Sequence, residues 1–356
     1  MQRHHHPQFQ IDLAPASRPF ERLLLRHRWF HNFISCCGQT TLSLALYPRF
    51  IAPYRWILRR YPMPFPNLAP AFIGYKILFI SDLHTGCTRQ SFLRRVLPAC
   101  LAEKPDLILL GGDLIDYHPD SLSKLAELLP LLHPPSASPP DGVCAIFGNH
   151  DYNEFSHRHN GPRSARRVIH KRLLKLLADS PVRVLRNESI TLSRPSTGPG
   201  SAPSLLQIVG LDEMWTRRAD ALAAFAGLNP AAPTICLQHN PDGYESGPTL
   251  KNYPWHYLLC GHSHGGQINA PFLGPLYIPM QFPQYHRGFY DCAAPTPIPS
   301  IHTPPAAPAR SNPQSNSQLP TSNFPRIMYV STGIGSSEPL RLRVPPEAIL
   351  FTLASV

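Results

Sequence analysis

Five short polar motifs, each placed directly after a hydrophobic run, constrain the fold of this 356-residue chain more than any other feature. The hydrophobic runs are short and rich in Ile, Leu and Val, which is typical of buried β-strands. Such strands lying side by side would bring the five motifs to one edge. The motifs supply carboxylate, imidazole and amide groups, the ligands of divalent metal ions that accept both nitrogen and oxygen. They begin at Asp82, Gly111, Gly148, Gln238 and Gly261.

The segments between the motifs alternate between predicted strands and helices. This alternation indicates parallel strands joined by right-handed crossovers, and therefore an α/β fold. Ser121 is the predicted N-cap of the second helix. Helices are predicted at 90–102, 121–132, 164–178 and 217–228. Strands are predicted at 77–81, 106–111, 142–147, 182–189, 205–211, 234–237, 257–260, 327–331 and 348–353.

The composition favours a partner that carries phosphate. The formal charge is +11 and the pI is about 9.4, which suits nucleic acid, a phosphorylated small molecule or anionic lipid equally. The eight cysteines form no C-x-x-C pair, a pattern that favours free thiols in a reducing compartment. No secretory signal is evident, so we expect a cytoplasmic protein.

Two regions differ from the rest of the chain. Residues 1–66 mix arginines with aromatic side chains, which fits a segment lying on an anionic bilayer at the inner membrane face. The alternative is an amphipathic arm packed on the catalytic domain. Residues 67–356 would form that domain, interrupted by a Pro- and Ser-rich insertion at 292–325 that we expect to be disordered.

The motifs contain the groups that a pair of metal ions requires. Two such ions lie about 3.5–4 Å apart and need a bridging carboxylate with ligands on either side. Asp113 is the natural bridge, because it leaves a buried strand on a Gly-Gly turn. Asp82 and His84 can chelate one ion, and Asn149 and His239 suit the other. Of the alternating pair His262 and His264, each ring can reach a different ion.

The order of the motifs resembles the calcineurin-like metallophosphoesterase superfamily over roughly residues 66–353. The resemblance is carried by Asp82-x-His84, Gly112-Asp113, Gly148-Asn149-His150-Asp151, His239 and Gly261-His262-x-His264. It implies a four-layer α/β/β/α sandwich of two mixed β-sheets flanked by helices. It also implies one metal held by Asp82, His84, Asp113 and His264, and a second held by Asp113, Asn149, His239 and His262.

The resemblance also implies a mechanism. Two cations lower the pKa of a bridging water, and the resulting hydroxide attacks phosphorus in line. His150 would be the catalytic histidine that donates a proton to the leaving oxygen, with its ring hydrogen-bonded to Asp151. The mixed ligands suit Mn²⁺, Fe²⁺ or Zn²⁺, and the resemblance favours Mn²⁺.

Longer segments narrow the resemblance to a bacterial branch of membrane-associated phosphodiesterases. The branch includes enzymes that hydrolyse UDP-2,3-diacylglucosamine in lipid A synthesis. Arg287, Arg341 and Arg343 are candidates for contacts with the substrate phosphates, because a guanidinium matches phosphate oxygens. The arginines that protein phosphatases carry in the second and third motifs are absent. The segments are Gly261–Gln267, Arg287–Tyr290, Tyr329–Gly335 and Leu340–Glu347.

The sequence therefore predicts a metal-dependent phosphoesterase that hydrolyses a phosphodiester or pyrophosphate bond in a small or lipid-linked substrate. One alternative is a nuclease of the same superfamily, although no nucleic-acid-binding module is evident. A second is a scaffold that binds metal without catalysis. The oligomeric state stays open.

Overall fold

The computed structural model describes residues 46–152, 163–196, 202–292 and 326–356, and only the backbone of 163–167. Most of the predicted basic arm and nearly all of the predicted insertion lie outside these residues.

Two six-stranded mixed sheets form the centre of the fold. The strand order of the first sheet is β1 (Ile57–Phe65), β14 (Glu347–Ser355), β2 (Lys76–Ile80), β3 (Leu107–Leu110), β4 (Val143–Ala145), β5 (Val182–Val184). The order of the second is β12 (Gly288–Asp291), β13 (Ile327–Val330), β9 (Tyr257–Cys260), β8 (Thr234–Leu237), β7 (Ser204–Gly210), β6 (Glu188–Arg194). A two-stranded hairpin, β10 (Asn269–Ala270) with β11 (Gly274–Pro275), lies outside both sheets.

Each sheet combines parallel and antiparallel neighbours. In the first, β2 to β5 run parallel and β14 runs antiparallel to β2. In the second, β13, β9, β8 and β7 run parallel, while β12 and β6 are antiparallel edge strands.

The sheets pack face to face, and helices cover the outer faces. The helices are α1 (Gln90–Leu101), α2 (Ser121–Leu132), α3 (Asn149–Tyr152), α4 (Arg163–Ala178) and α5 (Ala221–Ala224). Side chains of α1, α2 and α4 pack on one face of the first sheet, α5 and neighbouring loops cover the second sheet, and a separate apolar core fills the space between the sheets. The expected sandwich of two mixed sheets flanked by helices is confirmed.

Burial on both faces explains why the central strands consist mostly of apolar residues. In β2, Leu78 and Ile80 face the helices, whereas Ile77 and Phe79 face the second sheet. Successive side chains of a strand point to opposite faces, so a strand between two apolar layers needs apolar residues throughout.

The five strands that precede the motifs do not lie side by side in one sheet. β2, β3 and β4 are neighbours in the first sheet, whereas β8 and β9 are neighbours in the second. The carboxyl ends of both sets meet at one edge of the sandwich, because Asp82 and Asp113 of the first sheet contact His262 and His239 of the second.

The predicted strand at 182–189 is two strands in different sheets. β5 ends at Val184 and β6 begins at Glu188. Asn187 between them has a φ of 59°, a left-handed conformation that turns the chain from one sheet to the other. Its Oδ1 accepts hydrogen bonds from the backbone N–H groups of Asp212 and Asp220.

Two other local predictions were also inaccurate. The N-cap of α2 is Asp120, and Ser121 is the first helical residue, with its hydroxyl bonded to Asp116 Oδ1 at 2.7 Å. The helix predicted at 217–228 extends only over Ala221–Ala224.

Residues 57–65, which the sequence pattern assigned to the basic arm, form edge strand β1 and pair with β14 in parallel along their whole length. Pro62 and Pro64 lack an N–H group and are tolerated there because this is an edge strand.

Candidate metal centre

The predicted ligands converge where the carboxyl ends of the two sheets meet. The first sheet contributes Asp82, Asp113 and Asn149, which follow β2, β3 and β4. The second contributes His239 after β8, and His262 with His264 after β9. All of these side chains are buried, so the centre lies inside the protein surface.

The first group of candidate ligands consists of Asp82, His84 and His264. The Nε2 atoms of His84 and His264 lie 3.1 Å apart. Asp82 Oδ1 lies 3.9 Å from His84 Nε2 and 3.6 Å from His264 Nε2. Each residue therefore turns one ligand atom towards the same small volume.

The second group consists of Asp113, His239 and His262, with Asn149 beside them. His239 Nε2 lies 3.1 Å from Asp113 Oδ2, while its Nδ1 lies 2.7 Å from the carbonyl oxygen of Gly111. His262 Nδ1 lies 2.9 Å from Asn149 Oδ1. In His239 the ring nitrogen away from the group is held by a backbone carbonyl, an arrangement common in metal-binding histidines.

Asp113 lies between the two groups. Its Oδ2 is 3.6 Å from His84 Nε2 of the first group, in addition to the short distance from His239 of the second. Its Oδ1 accepts a hydrogen bond from the backbone N–H of His150 at 2.8 Å. One carboxylate oxygen therefore faces both groups, which is the position that a bridging ligand requires.

The backbone is strained where the ligands leave their strands. Five of the seven predicted ligands have left-handed φ values between 44° and 69°, and such a conformation typically costs ~1–3 kcal/mol in a non-glycine residue. They are Asp82, His84, Asp113, His262 and His264.

Gly148 permits the close approach of the third motif to Asp113. A Cβ atom at Gly148 would overlap Asp113 Oδ1 and lie 2.7 Å from His239 Nε2. No other residue fits at this position without moving a predicted ligand.

Burial and neighbouring charges set the protonation of the cluster. Burial, together with the nearby charges of other histidines, lowers the pKa of both His84 and His262 to about 3. Burial opposes ionisation of Asp113, but the surrounding imidazoles of His239, His150 and His84 outweigh it and hold the pKa of Asp113 well below its usual range. Burial also opposes protonation of His239, yet the Asp113 carboxylate raises the pKa of His239 to about 10.

These properties fit a pair of divalent cations. Asp82 and Asp113 are buried, and no lysine or arginine of the described chain forms an ion pair with either carboxylate. A buried carboxylate needs compensation by a charged partner or a metal. The ionised carboxylate of Asp113 beside the neutral imidazoles of His84 and His262 belongs to the donor set that Mn²⁺, Fe²⁺ and Zn²⁺ accept.

His150 lies beside the first group. Its ring makes an edge contact with His84 at a centroid distance of 4.7 Å and stacks on Tyr117 at 4.4 Å. The sequence did not identify Tyr117 as part of the site. The only sequence signal for it is that Tyr117 follows the second motif within the same loop.

Asp151 does not hold the ring of His150 as predicted. Its Oδ1 accepts hydrogen bonds from the backbone N–H groups of Leu114 and Ile115, and its Oδ2 accepts one from Gly148. Asp151 therefore fastens the loops after β3 and β4 to each other. Burial, reinforced by the charge of Asp113, raises the pKa of the Asp151 carboxyl.

Arg341 is not placed to contact substrate. It is completely buried, and its guanidinium donates to the carbonyl oxygens of Thr332, Gly333, Gly335 and Val344 and to the hydroxyl of Ser336. Its Nη2 also lies 3.3 Å from His264 Nδ1. Arg341 thus orders the loop that supports the first group.

Arg287 and Arg343 are more accessible. Arg287 is half-buried and packs beside Gly265 of the fifth motif, so a role in substrate binding stays a prediction. Arg343 is exposed.

Trp215 is a second aromatic residue at the site that sequence reasoning missed. Its ring meets the ring of His262 edge to face at 4.5 Å. The loop that carries it follows β7 and is fastened by Glu213, whose carboxylate accepts the N–H groups of Trp215 and Thr216. Its position after another parallel strand is the signal that could have identified it.

Comparison with known proteins agrees with this arrangement. The family described as Calcineurin-like phosphoesterase matches residues 75–266. The chain is 29% identical to an uncharacterized metallophosphoesterase, YkuE of Bacillus subtilis, over 87% of its own length and 89% of that protein. It is 28% identical to the UDP-2,3-diacylglucosamine pyrophosphatase LpxG of Chlamydia muridarum, over 82% and 86% of the two chains. It is 26% identical to the phosphodiesterase YaeI of Escherichia coli, over 86% and 92%.

Proposed function

The chain belongs to the calcineurin-like phosphoesterase family, and on that premise we propose that it hydrolyses a phosphodiester or pyrophosphate bond in a lipid-linked substrate of the UDP-2,3-diacylglucosamine type. The observation that carries the proposal is the position of Asp113, one oxygen of which faces both groups of candidate ligands.

Two divalent ions would be held by the chain's own side chains. Asp82, His84 and His264 would hold one, and Asn149, His239 and His262 the other, with Asp113 shared. When bound, such ions act as Lewis acids towards phosphoryl oxygens and lower the pKa of coordinated water. We propose Mn²⁺ as the resident ion.

We propose that the remaining groups serve phosphoryl transfer. His150 is held by its backbone N–H bond to Asp113 and by stacking on Tyr117, so its ring is fixed beside the ligands. From there it would donate a proton to the leaving oxygen, a contribution typically worth ~10²–10⁴-fold. Arg287, beside the fifth motif, would bind a phosphate oxygen of the substrate.

The names of the relatives favour a phosphodiester or pyrophosphate substrate over a phosphomonoester. LpxG is named for a pyrophosphatase activity on a lipid-linked sugar nucleotide, and YaeI is named a phosphodiesterase. The chain also lacks arginines next to its second and third motifs, where Leu114 and Phe147 stand instead.

We further propose that hydrolysis takes place on the inner face of the membrane, where a lipid-linked nucleotide would be met. The basic, aromatic N-terminal residues and the charge of +11 suit an anionic surface. In the part of the chain that the structure describes, no helix has the length and apolar character to span a bilayer.

A substrate panel tests the proposal. The full chain is stripped of metal, reloaded with Mn²⁺ and given UDP-2,3-diacylglucosamine, glycerophosphodiesters, bis-p-nitrophenyl phosphate and DNA. We expect cleavage of the pyrophosphate bond of UDP-2,3-diacylglucosamine and hydrolysis of the soluble diester. Preferred cleavage of DNA would instead support a nuclease, and inactivity on every compound would support a non-catalytic scaffold.

Two variants test whether the hydrolysis measured in the panel depends on the candidate metal centre. His239→Ala removes a predicted ligand and should abolish hydrolysis. His133→Ala is the matched control, because His133 follows α2 and bonds with Ser138 in a loop that leads to the amino end of β4. Its activity should equal that of the natural chain.

A further inference from the structure

A hairpin beside the metal centre exposes large apolar side chains. Phe272 is fully exposed and Leu273 is 78% exposed at the turn between β10 and β11, and Leu276 and Tyr277 follow on the next segment. Residues 265–285 contain no charged side chain. Contiguous apolar exposure of this kind usually marks an interaction surface.

The hairpin is joined directly to the metal centre. It begins after the fifth motif, and Gly266 lies so near Pro275 that a Cβ atom at position 266 would be 2.7 Å from Pro275 Cβ. Four residues beyond the hairpin, the carbonyl oxygen of Pro279 lies 3.1 Å from His262 Nε2. The segment that carries the apolar tip is therefore anchored to the candidate metal centre on both sides.

A second exposed apolar segment contacts the same loop, residues 338–342, as the base of the hairpin. Residues 46–51 expose Leu46, Phe50 and Ile51. The carbonyl of Pro48 in this segment accepts the backbone N–H of Arg341, and Leu342 pairs with Ile268 at the base of the hairpin. The loop 338–342 thus has one apolar segment on each side, and the basic N-terminal residues connect to the chain at Leu46.

The charges around these segments are mainly positive. Arg49 is exposed and lies over the Phe50 ring at 5.3 Å, Arg343 is exposed next to the hairpin base, and Arg287 is half-buried near the fifth motif. Glu338 is an exposed acidic residue on the shared loop. Apolar and aromatic side chains with arginines nearby match an anionic bilayer, whose headgroups attract the cations while its acyl region accepts the apolar tip.

We propose that the hairpin 269–275, together with residues 46–51, inserts into the interface of an anionic phospholipid bilayer and turns the metal centre towards the membrane. This deepens the proposed function, because a lipid-linked substrate would then reach the centre without leaving the bilayer.

Vesicle binding by the full chain tests the hairpin. Flotation with vesicles of phosphatidylglycerol and phosphatidylethanolamine is compared for the natural chain, the double variant Phe272→Ser with Leu273→Ser, and the control Leu222→Ser. Leu222 is 77% exposed on α5, so it is an equally accessible leucine outside the hairpin. We expect the double variant to lose ~10-fold or more in partitioning, since burying two such side chains contributes at least that factor, and the control to bind normally.

Binding at high salt distinguishes the contribution of the hairpin from that of the basic N-terminal residues. At about 1 M salt, electrostatic attraction is screened, whereas apolar insertion persists. The difference between the natural chain and the double variant should therefore remain at high salt. Equal binding of the two proteins at both salt concentrations would overturn the proposal.

A fluorescence measurement reports insertion directly. Phe272→Trp places an indole at the tip, and vesicles with brominated acyl chains should quench it more than the four tryptophans of the natural chain. Leu222→Trp should show no added quenching. An indole at 272 that stays unquenched on vesicle-bound protein would overturn the proposal. A change of oligomeric state in the double variant without vesicles would also overturn it, because the tip would then be a self-association surface.

Activity on a soluble substrate distinguishes this proposal from the proposed function. The double variant should hydrolyse bis-p-nitrophenyl phosphate as the natural chain does and lose activity only on UDP-2,3-diacylglucosamine in vesicles. If no phosphodiester is hydrolysed by the natural chain, the proposed function fails while the flotation and quenching results still decide the membrane contact. Equal loss on the soluble substrate would contradict a membrane role for the tip.

Discussion

Replacing Arg341 should destabilise the protein rather than weaken substrate binding. The guanidinium is buried and donates to four carbonyl oxygens and one hydroxyl. In Arg341→Met these acceptors would lose their donor, and an unsatisfied buried group costs ~1–3 kcal/mol. The loss of several at once, partly relieved by loop movement, should lower the free energy of unfolding by ~3–5 kcal/mol.

A loss of this size is a large part of the free energy of unfolding of an ordinary domain, which is about 5–15 kcal/mol. A milder variant that still folds is therefore needed as well. Arg341→Lys keeps a charge but reaches fewer carbonyls, and we expect a loss of ~2 kcal/mol. Denaturant unfolding of the metal-free protein measures both values, and steady-state kinetics on a soluble diester measures KM and kcat for the lysine variant.

The two roles for Arg341 give opposite results. A supporting role lowers stability and metal occupancy, because Arg341 orders the loop beside His264, and leaves KM nearly unchanged at full occupancy. If Arg341→Lys unfolds at the same denaturant concentration as the natural chain and raises KM about tenfold, the residue binds substrate and our reasoning is wrong.

Three further substitutions test separate parts of the centre. His150→Ala should keep both metals, measured by elemental analysis, and lose ~10²–10⁴-fold in turnover; loss of metal would instead make His150 a ligand. Gly148→Ala should lose metal, because its methyl group would displace the Asp113 carboxylate, and normal metal content would refute the close approach. Asp151→Asn should lower the free energy of unfolding by ~1–3 kcal/mol, because an amide cannot accept all three backbone N–H groups; lower turnover at unchanged stability would restore its predicted role towards His150.

The sequence was informative where a hydrophobic run ends in a polar motif. β2, β3, β4, β8 and β9 were each predicted within about two residues of their observed ends, because burial on both faces demands uninterrupted apolar residues. The expectation that all five strands lie side by side was wrong, since pairing depends on contacts between distant segments. Strand β1 was missed because Arg59, Arg60 and two prolines obscure its alternation.

Residue roles were harder to predict than residue positions. His150 and Asp151 are adjacent in sequence, but they lie in the short helix α3, where successive side chains point in different directions. Asp151 therefore reaches backbone groups instead of the His150 ring. Arg341 has the same sequence appearance as a surface arginine, and only the fold reveals that it is buried.

We propose that Asp113 is shared by two metal positions. Anomalous diffraction from a crystal grown with Mn²⁺ should show two peaks about 3.5–4 Å apart, one on each side of Asp113. Elemental analysis should find two Mn²⁺ per natural chain and a large loss in Asp113→Asn. Asp106→Asn is the control, because Asp106 precedes β3 and accepts the backbone N–H of Lys76. Full occupancy in Asp113→Asn, or a single peak away from Asp113, would contradict the account.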